Sequence, residues 1–214
     1  MSSDAPDTLT RFLLPAAGVR GVAVRLDAAW DAVAGRADYP PAARELLGEA
    51  AAAAVLFTGH TKVDGRLSIQ IRGERGLRTL FAECTAAGTV RGIVQLTEGQ
   101  DAPRDLRDLG RDALLAITIE NPGLDPREPQ RYQSLVGLDA SRLAEAFEDY
   151  FRQSEQLPTR LLLAAGGGRA GGLMLQKLPG DEGDDDGWNR VGALFDTLAE
   201  AELLATPVPV LLHR

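Results

Sequence analysis

Cysteine is nearly absent: the chain has one, Cys84. A single thiol forms neither an intramolecular disulfide nor a cysteine-built zinc site. Histidine is almost as scarce, with only His60 and His213. Lysine occurs twice, at Lys62 and Lys177, among 23 cationic residues, so the basic residues are nearly all arginine. With so much Ala and Leu, that bias reads as the codon usage of a GC-rich genome and carries no functional meaning. The longest wholly apolar run, Ala50 to Phe57, is eight residues, against the ~20 needed to span a bilayer. The N-terminus, Met1-Ser-Ser-Asp-Ala-Pro-Asp7, is acidic and polar and does not read as a signal peptide. A soluble, cytoplasmic protein is expected. Excess positive charge is also missing. The net charge is -8 and the pI about 4.9, which argues against a nucleic-acid or anionic-membrane partner.

What is present is ordinary for a globular chain: 214 residues, 44% hydrophobic and 25% charged. About 150 residues per domain makes one domain, or one with an appendage, the expectation. Folding at this size buries about 70–75% of the unfolded surface.

Thr8 to Ala17 reads as a short helix carrying Leu9, Phe12 and Leu13. Val19 to Leu26 alternates as a strand, and Asp27 can cap a helix with Trp30 and Val33. Pro40-Pro41 opens a longer helix that runs to about Thr58 and stops at Gly59. Its first half is amphipathic, with Arg44, Glu45 and Glu49. Its second half is apolar all round, so it reads as a central buried helix. Arg66 to Arg72, Leu77 to Cys84 and Thr89 to Leu96 then form a meander, with turns at Asp64-Gly65, Gly73 to Gly76 and Ala87-Gly88. Thr97 to Arg111 is a polar, acidic connection. Ala113 to Glu120 and Arg131 to Leu138 are strands, separated by turn signals at Asn121-Pro-Gly and Asp125-Pro126. A helix capped by Asp139 or Ser141 carries Leu143, Phe147, Tyr150 and Phe151 and ends at Pro158. Arg160 to Ala165 and Gly172 to Leu178 are strands joined by a glycine-rich turn. After an acidic stretch, Pro179 to Gly187, an amphipathic helix shows Trp188, Val191, Leu194, Phe195 and Leu198. The expected class is α+β, with antiparallel or mixed sheets around a buried Ala-rich helix and amphipathic helices at the C-terminus.

Candidate chemistry is thin. Gly166-Gly-Gly-Arg-Ala-Gly171 matches G-x-G-x-x-G and follows an apolar strand. The dinucleotide fingerprint needs a helix opening at its last glycine, and only the six residues Leu173 to Leu178 follow Gly172 before Pro179. A hairpin turn is the better reading, and a nucleotide-binding enzyme using Gly166–Gly171 the alternative. No G-x-x-x-x-G-K-[ST] occurs. His60 at the end of the buried helix suits the dipole as a cation. Cys84 reads as a small buried hydrophobe rather than a nucleophile paired with His60. The acidic clusters at Glu98 to Asp112 and Asp181 to Asp186 read as solvated loops, and Asp184-Asp-Asp-Gly187 lacks the EF-hand spacing. With no convincing catalytic site, a binding protein is favoured over an enzyme.

The run Glu148-Asp-Tyr-Phe-Arg-Gln-Ser-Glu-Gln-Leu-Pro-Thr-Arg160 resembles the heat shock protein 33 family, the redox-regulated holdase chaperones. Asp38-Tyr-Pro40, Thr61-Lys-Val-Asp-Gly65, Arg91-Gly92, Arg131-Tyr-Gln-Ser-Leu-Val-Gly137 and Gly171-Gly-Leu-Met-Leu-Gln176 resemble it in the same order. The resemblance implies an ATP-independent chaperone for unfolding proteins under oxidative stress. It implies a core domain over residues 1–178 and a linker region over 179–214. In the family a small zinc domain follows, with a C-x-C and a C-x-x-C pair that hold zinc when reduced and form disulfides when oxidised. Neither pair occurs here, and Cys84 matches neither. The expectation is therefore a truncated chain, without zinc or another cofactor. Unfolded clients are the expected partners, with Trp188, Val191, Leu194, Phe195 and Leu198 covering or forming the client surface. A homodimer made by exchanging C-terminal segments is also implied, with a plain homo-oligomeric interaction module as the remaining alternative.

Overall fold

The computed structural model describes residues 7–123, 125, 128–180 and 186–213. Asp181, Glu182, Asp184, Asp185 and Pro126 lie outside the described residues. In chain order the elements are β1 (Asp7–Leu14), β2 (Val19–Leu26), α1 (Ala28–Ala34), α2 (Pro41–His60), β3 (Arg66–Arg72), β4 (Leu77–Thr85), β5 (Val90–Leu96), β6 (Leu114–Asn121), β7 (Gln130–Gly137), α3 (Leu143–Ser154), β8 (Thr159–Gly166), β9 (Arg169–Lys177), α4 (Gly187–Phe195), α5 (Glu200–Ala205) and α6 (Val208–Leu211). The class is α+β. Both sheets are antiparallel throughout: a four-stranded sheet in the order β1-β2-β9-β8 and a five-stranded sheet in the order β5-β4-β3-β6-β7.

Helix α2 lies between the two sheets and packs on strands of both. Its 20 residues make a rod about 30 Å long. Ala50 to Ala54 are wholly buried, and alanine keeps the sheets close on each side. Two glycines let the backbones approach further. A Cβ at Gly172 of β9 would lie 2.5 Å from Leu56, and one at Gly48 would lie 2.4 Å from the Cβ of Ala165. Phe57 meets Phe147 and Phe151 of α3 edge-on, at centroid distances of 4.7 and 5.1 Å, which ties α3 to the same core.

Two expectations fail here. Thr8 to Leu14 is a strand, not a helix. It pairs with β2 from Asp7↔Leu26 to Leu14↔Val19, and the ring of Phe12 lies over Gly21, where a Cβ would come within 2.2 Å of it. The helical spacing of Leu9, Phe12 and Leu13 is outweighed by the ladder that β2 offers its neighbour. Glu49 is not on a solvated helix face. It is 6% exposed and accepts a hydrogen bond from Arg104 at 2.8 Å, and its burial raises the carboxyl pKa. Arg104 lies in the connection after β5, a pairing that no local pattern encodes.

The caps differ in detail. Asp27 makes no side-chain cap for α1. The carboxylate of Asp7 accepts from the amides of Asp27 and Ala29 instead. At α3 the Glu145 carboxylate accepts from the amides of Ser141 and Arg142, and the helix ends at Ser154, before Pro158.

Candidate functional site

Strand β9 carries an apolar run, Leu173-Met-Leu175, and is buried on both faces. Met174 points with Val22 and Val24 into the core around α2. Leu173 points the other way, into a second cluster with Ala23, Ala164, Leu203 and Val208. A strand buried on both faces requires a second cover. Here α5 packs on β8 and β9, and α6 on β2.

That cover is loose. Between it and the sheet lies a cavity of about 510 Å³, lined on the sheet side by Phe12, Leu14, Leu173 and Leu175 and on the helix side chiefly by Val191, Phe195, Leu198 and Leu212. Leu194, on its rim, is 63% exposed. Polar contacts hold the helices from outside the cavity. Arg142 pairs with Glu200, Arg160 with Asp196 at 3.4 Å, and Arg169 donates to the Leu204 carbonyl at 3.4 Å.

Of the residues expected at a client surface, Val191, Leu194, Phe195 and Leu198 line this cavity. Trp188 is half-buried and is not among its lining residues. The stripe is not one helix: α4 ends at Phe195, and Leu198 lies in the turn before α5. Sequence reasoning missed the sheet side altogether. The available signal was the run Leu173-Met-Leu175, which leaves no polar face for solvent.

The Gly166–Gly171 loop is a two-residue hairpin. Gly166 pairs with Arg169, and Gly167 and Gly168 take φ of 57° and 78°, the positive values that a type I′ turn demands. A strand follows rather than a helix, so the loop has none of the geometry by which a dinucleotide fingerprint holds a pyrophosphate.

His60 is not a capping cation. Burial first, and then the Arg20 guanidinium 3.2 Å away, lower its pKa to about 4. Arg20 also donates to the wholly buried Gln176, whose amide donates to Glu155 and Thr159 at 3.0 and 3.1 Å. This polar knot closes the end of the four-stranded sheet against α3. A histidine near 6.5 when unfolded and near 4 when folded binds fewer protons in the native state. Its neutral form therefore supports stability above pH 6.5, and that support fades as pH falls towards 4. After discounting for its partial exposure, the loss should reach about 1–2 kcal/mol. Urea midpoints of the parent and His60→Gln between pH 7 and 5 check this. The parent should lose stability faster, and parallel curves would contradict the assignment.

Cys84 is buried, as expected, at 1% exposure, and burial raises its thiol pKa. It donates weakly to the Thr85 carbonyl at 3.4 Å, whereas His60 faces Arg20 and Phe151. No hydrogen bond joins Cys84 to His60 among the described residues. Nor do the described residues contain a group of three or more His, Cys, Asp or Glu that could hold a metal ion.

The family model described as Hsp33 protein matches residues 7–214. The chain belongs to the Hsp33 family. Among its relatives, the 33 kDa chaperonin of Ectopseudomonas mendocina is 44% identical across 97% of this chain and 71% of its own length. That of Chromobacterium violaceum is 39% identical across 100% of this chain and 72% of its own. The crystal structure of the 33 kDa chaperonin from Thermotoga maritima superposes with a TM-score of 0.74, covering 97% of this chain and 74% of that one. At 20% identity that likeness supports the shared fold. Several Hsp33-like runs now have physical reasons. Gly65 lets the Glu120 carbonyl approach, Gly92 lets Leu47 approach, and Gly172 admits Leu56. Glu148 accepts from the Leu161 amide at 2.7 Å, joining α3 to β8. Much of the family likeness is thus the scaffold of the two sheets and α2.

Proposed function

We propose that this Hsp33-family chain is an ATP-independent holdase that captures unfolding proteins on the outer face of its four-stranded sheet, beneath α4–α6. The observation that carries the reading is the double burial of β9 under a loosely packed cover. An apolar sheet face exists, and the helices over it fill it incompletely. Clients would bind by burying apolar surface, at about 25 cal/mol per Å², with no chemistry required. In this reading residues 1–178 are the core that carries the face, and 179–214 are the linker region that hides it. The cover and the client compete for one surface, so capture follows the share of molecules with the cover released.

The setting is the cytoplasm under oxidative stress, where the family's zinc domain supplies the thiol switch. These 214 residues hold neither C-x-C nor C-x-x-C, so their own activity should be constitutive and independent of zinc. We also propose a homodimer formed by exchange of C-terminal segments through Pro179 to Gly187. Light scattering at micromolar concentration checks it, and a monomer throughout would contradict it.

The test of function is suppression of aggregation of a thermally unfolding client. Suppression should occur without ATP and with a metal chelator present, and should be equal in peroxide and in dithiothreitol. A requirement for ATP would contradict the reading. So would strong peroxide activation that survives Cys84→Ser, because no thiol would remain to explain it.

A further inference from the structure

The apolar hold on the C-terminal helices is shallow: Phe195, Leu198, Leu204, Leu211 and Leu212 pack on the outer sheet face only half-buried. Leu203 and Val208 are the apolar side chains of α4–α6 that are buried, and Val191, Phe195 and Leu198 are half-exposed around an unfilled cavity. The polar contacts are arranged differently. They converge on α5 and the turn that leads into it. Glu200, the first residue of α5, pairs with Arg142 ahead of α3. Asp196, just upstream, pairs with Arg160 near the start of β8. The carbonyl of Leu204, next to the last residue of α5, accepts from Arg169 at the start of β9. Arg160 and Arg169 sit at opposite ends of the β8–β9 hairpin, about 20 Å apart at the rise of a strand. Two arginines of the core, Arg142 and Arg169, therefore hold the six-residue α5 near its two ends, and a third, Arg160, holds the turn that leads into it. The acceptors all belong to the cover, and the cations all belong to the core.

The geometry points to α5 as an electrostatic clip: the ion pairs, rather than packing alone, set how much of the cover is docked, and ionic strength tunes it. This inference rests on the proposed client face only for its consequence, not for its geometry. Exposed pairs are individually weak, but an equilibrium held by shallow apolar contact is moved by small terms. At 1 M salt the screening length falls to about 3 Å, close to the separation of the paired atoms. Loss of the two ion pairs, with weakening of the Arg169 hydrogen bond, should shift the equilibrium towards the open cover by about tenfold.

Amide hydrogen exchange over residues 200–205 reads the opening directly, in 50 mM and in 1 M sodium chloride. The parent should exchange about tenfold faster at α5 in high salt. The double variant Arg142→Gln, Arg160→Gln should exchange fast at both salt concentrations, and Asp196→Asn should fall between. Protection of α2 should stay unchanged in each, which shows that the core remains folded. Equal exchange at α5 in the two salts would overturn the clip. So would a salt response of the same size in the double variant. Client capture measured on the same samples keeps the two readings apart. If α5 opens with salt and capture does not rise, the clip stands and the proposed client face falls.

Discussion

Ala53→Glu should unfold the protein. Ala53 is wholly buried in α2, with the four-stranded sheet on one side and the five-stranded sheet on the other. A larger side chain there must displace packed neighbours, and the arginines that reach α2 are already engaged: Arg104 with Glu45 and Glu49, Arg20 with His60, Arg11 with the Gly59 carbonyl. An unpaired buried carboxylate costs several kcal/mol or stays protonated at a similar cost. Overpacking adds about 1–3 kcal/mol. Against a total stability of about 5–15 kcal/mol, the sum removes most or all of the fold. Circular dichroism and a thermal melt decide it. A cooperative transition at the parent temperature would mean that α2 is not between the sheets.

Leu203→Asp should do the opposite of harm to function. Leu203 is 3% exposed and is the buried anchor of α5 on the outer sheet face. Replacing it removes about 2 kcal/mol of apolar burial and places a charge where Ala23, Ala164 and Leu173 supply no partner. The core around α2 does not include Leu203, so the damage stays on the cover. With only light packing to begin with, the helices should detach, and capture of an unfolding client should rise several-fold while α2 keeps its amide protection. Released helices with unchanged or weakened capture would show that the face beneath them does not bind clients.

The sequence disclosed α2 well because an apolar run with no polar side has one explanation, enclosure. The meander β3–β5 was equally plain, since Leu67, Ile69 and Ile71 alternate with polar residues over a whole strand. Strand β1 was hidden because its pattern fits both periods, and only pairing with β2 chooses between them. The burial of Glu49 is not legible in the sequence because its partner lies 55 residues away in a connection. The helix side of the candidate site was visible as the stripe from Val191 to Leu198. The sheet side needed the knowledge that β9 is covered twice, and the break in the stripe after Phe195 needed the turn that leads to α5. The helix end alone suggests a cation at His60, whereas its neighbour Arg20 comes from β2, far away in sequence.

Photocrosslinking from single positions to a thermally unfolding client locates the capture surface. A benzophenone group at Leu175, on the outer face of the four-stranded sheet, is compared with one at Ile93, an exposed residue of the five-stranded sheet. Client crosslinks are expected from position 175, stronger with Leu203→Asp, and none above the control level from position 93. Crosslinks from position 93 with none from position 175 would contradict capture on the outer sheet face.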